Sequence, residues 1–108
     1  MKASKHIQNI LARLPHEPGV YKHFNGEGVV IYVGKAKDLR KRVSSYFNRK
    51  TYENGKTRML VKKIEDIEWL VAPTEQDALL LESSLIKEHS PFFNILLKDD
   101  KTFPYIVL

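Results

Sequence analysis

The 108-residue sequence contains no cysteine. That absence excludes disulfides, thiolate zinc sites and a cysteine nucleophile, and it fits a reducing compartment such as the cytoplasm. Long hydrophobic runs are missing too: the longest, such as Val29 to Val33 and Ala78 to Leu81, are far too short to span a membrane, and nothing resembles a signal peptide. The four histidines (His6, His16, His23, His89) lack metal-ligand spacing and read as surface or packing residues. No internal repeat, low-complexity tract or domain boundary interrupts the chain, so one domain is expected. Acidic residues are scarce in one stretch. Between Lys35 and Lys63 there are eleven Lys/Arg against Asp38 and Glu53, whereas the remaining seven Lys/Arg face eleven acids. The formal net charge of +5 is therefore concentrated on one segment, as expected for a surface that meets a polyanion, with nucleic acid the leading candidate. What is present in quantity is core: 43% of residues are hydrophobic.

The patterning predicts a helix over 3–14, capped by Ser4, with Ile7, Ile10, Leu11 and Leu14 as its apolar stripe and Pro15 beyond its end. Gly19-Val20-Tyr21-Lys22-His23-Phe24 and Val29-Val30-Ile31-Tyr32-Val33-Gly34 read as a hairpin around Asn25-Gly26-Glu27-Gly28. Asp38 is a credible N-cap for a helix from Leu39 to about Arg49. Thr51 to Lys56 reads as a loop, Thr57 to Ile64 as a helix and Ile67 to Val71 as a third strand. Thr74 caps a long helix running to about His89, which Pro91 ends. In the tail a turn is expected at Lys98-Asp99-Asp100-Lys101. The elements together predict an α+β fold.

Three features carry chemistry. A loop of residues 25 to 28, or of Gly26-Glu27 alone, places Tyr21 directly opposite Tyr32, whereas a tight Asn25-Gly26 turn would shift the pairing by two. In the favoured first register both phenols leave one face of the sheet, and such a pair serves either the core or a reaction. Arg42 shares a helical stripe with Leu39, Val43 and Tyr46, where an unpaired guanidinium is costly, so it either snorkels outward or has an anionic partner. Glu82 is flanked on its own helical face by Ala78, Leu79, Leu85 and Ile86. A carboxylate so placed either pairs with a basic side chain or ligates a hard cation such as Mg²⁺, which needs only one or two protein carboxylates.

Taken together, Leu14 to Tyr21, Ile31 to Leu39, Leu81 to Lys87, Phe93-Asn94-Ile95, and Leu97 to Lys101 with Pro104-Tyr105-Ile106 resemble the GIY-YIG nuclease family. The resemblance is closest to the branch found at the N-terminus of the bacterial excision-repair nuclease UvrC. It implies a small central antiparallel sheet of three strands flanked by helices. It also implies an active site of Tyr21, Tyr32, Lys35, Arg42, Tyr46 and Asn94, with Glu82 holding one Mg²⁺ or Mn²⁺ ion. Tyr46 stands where many relatives outside the repair branch have His; Phe93 and Phe103 depart mildly from the repair branch, which often has Tyr there. The implied reaction is metal-dependent hydrolysis of a DNA phosphodiester, 3′ to a lesion, after a UvrB complex loaded by UvrA presents the DNA through a longer parent protein. Tyr32 is the base favoured by the resemblance, tuned by Lys35, although the residues themselves leave Tyr21 equally eligible. Lys37, Arg40, Lys41, Arg49, Lys50 and Lys62 form the expected DNA-binding face, and the domain is expected to be monomeric. The competing reading is a nucleic-acid-binding module without cleavage, or a nuclease of the same family outside excision repair.

Overall fold

The computed structural model describes residues 4–48 and 55–101. Three strands, β1 (Gly19–Phe24), β2 (Val30–Ala36) and β3 (Asp66–Val71), form one antiparallel sheet in the order β2-β1-β3. The helices are α1 (Lys5–Arg13), α2 (Leu39–Asn48), α3 (Gly55–Lys63), α4 (Glu75–His89) and α5 (Phe92–Lys101). This is the small three-stranded sheet flanked by helices that the resemblance implies.

Local chemistry sets the element ends. Ser4 accepts a hydrogen bond from the Ile7 N–H, Asp38 from the Lys41 N–H and Thr74 from the Asp77 N–H, each satisfying an otherwise orphaned donor at a helix start. Helix α4 ends at Ser90, whose φ of 43° is left-handed and whose N–H returns to the Ile86 carbonyl, with Pro91 following.

Two expectations fail. Tyr21 pairs with Gly34, and Tyr32 lies opposite His23. The Asn25 carboxamide accepts from both Glu27 and Val29 N–H groups, and the Asn25 N–H bonds to the Val29 carbonyl. With Gly28 at φ 79°, these bonds widen the loop to residues 25–29, so that Phe24 faces Val30. A bulge between His23 and Phe24 then shifts the register once more. The displacement is even along the strand, so Tyr21 and Tyr32 still share a face. The turn expected at residues 98–101 is absent: α5 continues through Lys101.

The sheet separates two apolar layers. Tyr21 lies in the larger, with Ile7, Ile10, Leu14, Leu39, Val43, Leu60, Val61, Ile64 and Phe93 from α1, α2, α3, α5 and their flanks. On the other side Val20 packs with Ala72 and Ala78, joined by Leu81 and Leu85 of α4. Helix α4 is therefore held by one narrow stripe, and Leu79 stays about half exposed. No helix among the described residues is long and apolar enough to cross a membrane.

Candidate active site

The sheet face under α2 carries a cluster of aromatic rings. Strand β1 supplies Tyr21 and His23, β2 supplies Tyr32, and α2 supplies Tyr46 from the same stripe as Leu39 and Val43. The Tyr21 and Tyr46 hydroxyls are 2.8 Å apart. Ring centroids of the three tyrosines lie 6.0 to 6.4 Å from one another. Gly34 makes this possible: a Cβ there would fall on the Tyr21 hydroxyl and ring. Gly34→Ala is thus expected to expel the Tyr21 phenol, lower stability by about 1–3 kcal/mol through overpacking and depress any activity of the site. Thermal melting with an activity assay checks this, and a variant as stable and active as the parent refutes it.

Arg42 is exposed, at the edge of the stripe and not within it, so the outward course is the one it takes. Its guanidinium carbon lies 5.7 Å from the centre of the Tyr46 ring, and its charge acts on the Tyr21 hydroxyl as well.

The electrostatics of the phenols differ from what a ready-made base requires. Burial pushes the Tyr21 hydroxyl up to about 12, with Tyr32 adding to the rise and Tyr46 and Arg42 opposing it. Burial also raises Tyr32 and Tyr46 well above the ordinary tyrosine range. Arg42 pulls all three down and does not prevail. All three are therefore neutral at pH 7. Tyr21 is 1% exposed and Tyr46 9%, whereas Tyr32 is only partly buried.

Glu82 reaches this cluster from α4, on the other face of the sheet. It is half-buried, and its charge contributes to the rise of the Tyr32 phenol, which places the carboxylate within electrostatic reach of that hydroxyl. No group of three or more His, Cys, Asp or Glu that could hold a metal occurs among the described residues. The described residues thus form no transition-metal cage. One accessible carboxylate beside neutral hydroxyls fits a hard cation that keeps most of its waters.

Asn94 joins the site through the backbone. Strand β2 is an edge strand, and the Asn94 carboxamide accepts from the Val33 N–H at 2.7 Å and donates to the Val33 carbonyl at 2.8 Å. One side chain so mimics a neighbouring strand, closes the exposed edge and fixes β2 between Tyr32 and Gly34. Lys35 and Lys37 are exposed near the end of β2, Lys41 on α2 and Lys62 on α3. Arg40 has a structural engagement that sequence alone does not show: its guanidinium donates to the Leu14 carbonyl at 2.8 Å and to the Ala12 carbonyl, tying the end of α1 to α2. Arg49 and Lys50 lie outside the described residues.

The residue that sequence reading passes over is His23. It is completely buried, and neither ring nitrogen has a hydrogen-bond partner. Its ring centroid lies 5.1 Å from Tyr21, 6.0 Å from Tyr32 and 5.0 Å from Tyr46. Burial lowers its pKa to about 3, so the imidazole is neutral. The alternation that places it two residues after Tyr21 is the only sequence signal of this position.

Comparison with known proteins agrees with this fold. The model of the UvrC-like GIY-YIG domain matches residues 17–95. The chain is 58% identical over 105 residues to the UvrABC system protein C of Bacteroides thetaiotaomicron, covering 97% of this chain and 17% of that protein. It is likewise 58% identical over 95 residues to the same protein of Flavobacterium psychrophilum, covering 88% of this chain and 16% of that one. The chain thus spans about one sixth of the length of these relatives. Among solved structures, the GIY-YIG N-terminal endonuclease domain of UvrC from Thermotoga maritima, bound to its catalytic magnesium, superposes with a TM-score of 0.73 at 36% identity. That match covers 84% of this chain and 98% of the other. The motif-bearing strands, the tyrosine cluster and these likenesses converge: the chain belongs to the UvrC-like GIY-YIG family of endonuclease domains.

Proposed function

We propose that this domain hydrolyses one DNA phosphodiester with a single Mg²⁺ or Mn²⁺ ion, making the 3′ incision beside a lesion in nucleotide excision repair. The observation that carries the reading is the cluster of Tyr21, Tyr32 and Tyr46 with Arg42 over the Tyr46 ring, and the Glu82 carboxylate within electrostatic reach of the Tyr32 hydroxyl. An ion held by Glu82 would polarise the scissile phosphate and stabilise the leaving oxygen. The remaining work falls to the chain. Arg42, exposed and fixed over Tyr46, is placed to complement negative charge developing on the phosphoryl oxygens. The hydroxyls of Tyr32 and its neighbours orient the attacking water. Tyr32 is favoured over Tyr21 as the water-facing group because it alone is only partly buried. Arg42 by itself leaves its phenol raised, so it takes a proton only when further positive charge has entered the site. Asn94 holds the strand that presents Tyr32, and Lys35 adds positive charge at that strand's end.

Lys37, Arg40, Lys41, Arg49, Lys50 and Lys62 are proposed as contacts to the DNA backbone, two donors of Arg40 being already engaged. We read the chain as one domain of a longer cytoplasmic protein, acting as a monomer on DNA presented by UvrB. The greater length of its relatives supports that setting.

The test is incision of an end-labelled duplex carrying one lesion, with UvrA, UvrB and the longer parent protein supplied. A 3′ nick is expected with Mg²⁺ or Mn²⁺ and none after chelation. Bound but uncut DNA with either metal would replace this reading with a binding module.

A further inference from the structure

A groove of about 400 Å³ runs along the outer flank of α2, lined by His16, Arg40, Lys41, Ser44, Ser45 and Asn48. No carboxylate lines it. The nearest acid, Asp38, is engaged by His16 Nδ1 at 2.9 Å and by the Lys41 N–H at 3.0 Å. Arg40 is occupied by α1, and the Ser45 hydroxyl donates to the Arg42 carbonyl. Lys41, Ser44 and Asn48 remain, and among the described residues no hydrogen bond or ion pair engages their side chains.

These three recur at i, i+3 and i+7. That spacing aligns them as a row of donors spanning roughly 10 Å, on the side of the helix away from the stripe bearing Arg42 and Tyr46. A cationic head followed by a hydroxyl and an amide suits an extended anion rich in acceptors.

We propose that this groove is a second binding site for the phosphodiester backbone of the DNA, taking phosphates about three nucleotides from the scissile one. The offset follows from size. A helix with its side chains is roughly 10–12 Å across, and one strand rises about 3.4 Å per nucleotide. Helix α2 is then a ridge, with the reaction centre on one flank and the backbone anchor on the other. The inference rests on the nuclease reading above and names how its substrate is held.

The test measures binding of the longer parent protein, carrying Glu82→Gln so that it does not nick, to a UvrB-loaded lesion duplex whose 3′ nick has been mapped. Neutral methylphosphonates are placed singly at one to six nucleotides from that nick. Lys41→Ala is expected to weaken binding about 5- to 10-fold and reduce the salt slope by about one. The double variant Ser44→Ala/Asn48→Ala is expected to weaken it by a smaller factor. A methylphosphonate about three nucleotides away should weaken the parent and leave the Lys41→Ala variant no weaker than before. Melting curves confirm folding; alanine at exposed helical positions favours it. Parent-like affinity in both variants, or an equal methylphosphonate penalty in parent and variant, overturns the proposal. Failure of that longer protein to bind the UvrB-loaded duplex at all would instead overturn the nuclease reading beneath it.

Discussion

Replacing Glu82 with Gln is expected to reduce metal-dependent nicking by at least about 100-fold while leaving the melting temperature nearly unchanged. Altering even the outer hydrogen-bond partners of a metal ligand costs roughly 10- to 100-fold, and here the charged ligand itself is lost. Gln keeps the shape, and the side chain is half-buried on a helix held mainly through Ala78, Leu81 and Leu85. The fold therefore has little to lose from the exchange. Nicking under Mg²⁺ and Mn²⁺, followed beside duplex binding measured without metal, separates the outcomes. Undiminished nicking by the variant would make Glu82 a structural carboxylate and remove the metal from this position.

Acidification is expected to destabilise the domain through His23, and His23→Leu should abolish that share of the effect. The folded pKa of about 3 lies below the unfolded 6.5, so it is the unfolded chain that binds the extra proton. Stability is accordingly full above about pH 6.5 and declines as the pH falls toward 3. At about pH 4.5 the loss is on the order of 3 kcal/mol, or roughly 13 °C in Tm for a domain of this size. The rings packed against His23 are Tyr21, Tyr32 and Tyr46, all neutral in this range, so none offsets the penalty. Leu also removes two buried nitrogens that lack partners, each costing about 1–3 kcal/mol, and should match or exceed the parent's stability at pH 7.5. Identical pH dependence of Tm in parent and variant would place the acid sensitivity elsewhere.

Much of the architecture was legible because it rests on local chemistry. Ser4, Asp38 and Thr74 each cap the helix they were expected to cap, and Pro91 follows the end of α4. The strand pattern predicted the sheet, and the motif residues pointed to the family. The register was not legible. Asn25 closes its loop by accepting two backbone hydrogen bonds, and a bulge near Phe24 moves the pairing again. A bulge depends on what packs on both faces of a strand, which a sequence window does not contain.

What the sequence by itself determined is which residue types stand at which spacing: two tyrosines on one sheet face, an arginine one turn from a third, and a carboxylate on a mostly apolar stripe. Only the tertiary structure decided their state. It left Tyr32 open and Tyr21 covered, put Asn94 on the backbone of β2, engaged Arg40 with α1 and enclosed His23 among three phenols. Exposure, hydrogen-bond partnership and proton affinity are properties of the assembled surroundings. They arise from elements up to 61 residues apart in the chain, as Asn94 and Val33 are, and no local pattern encodes them.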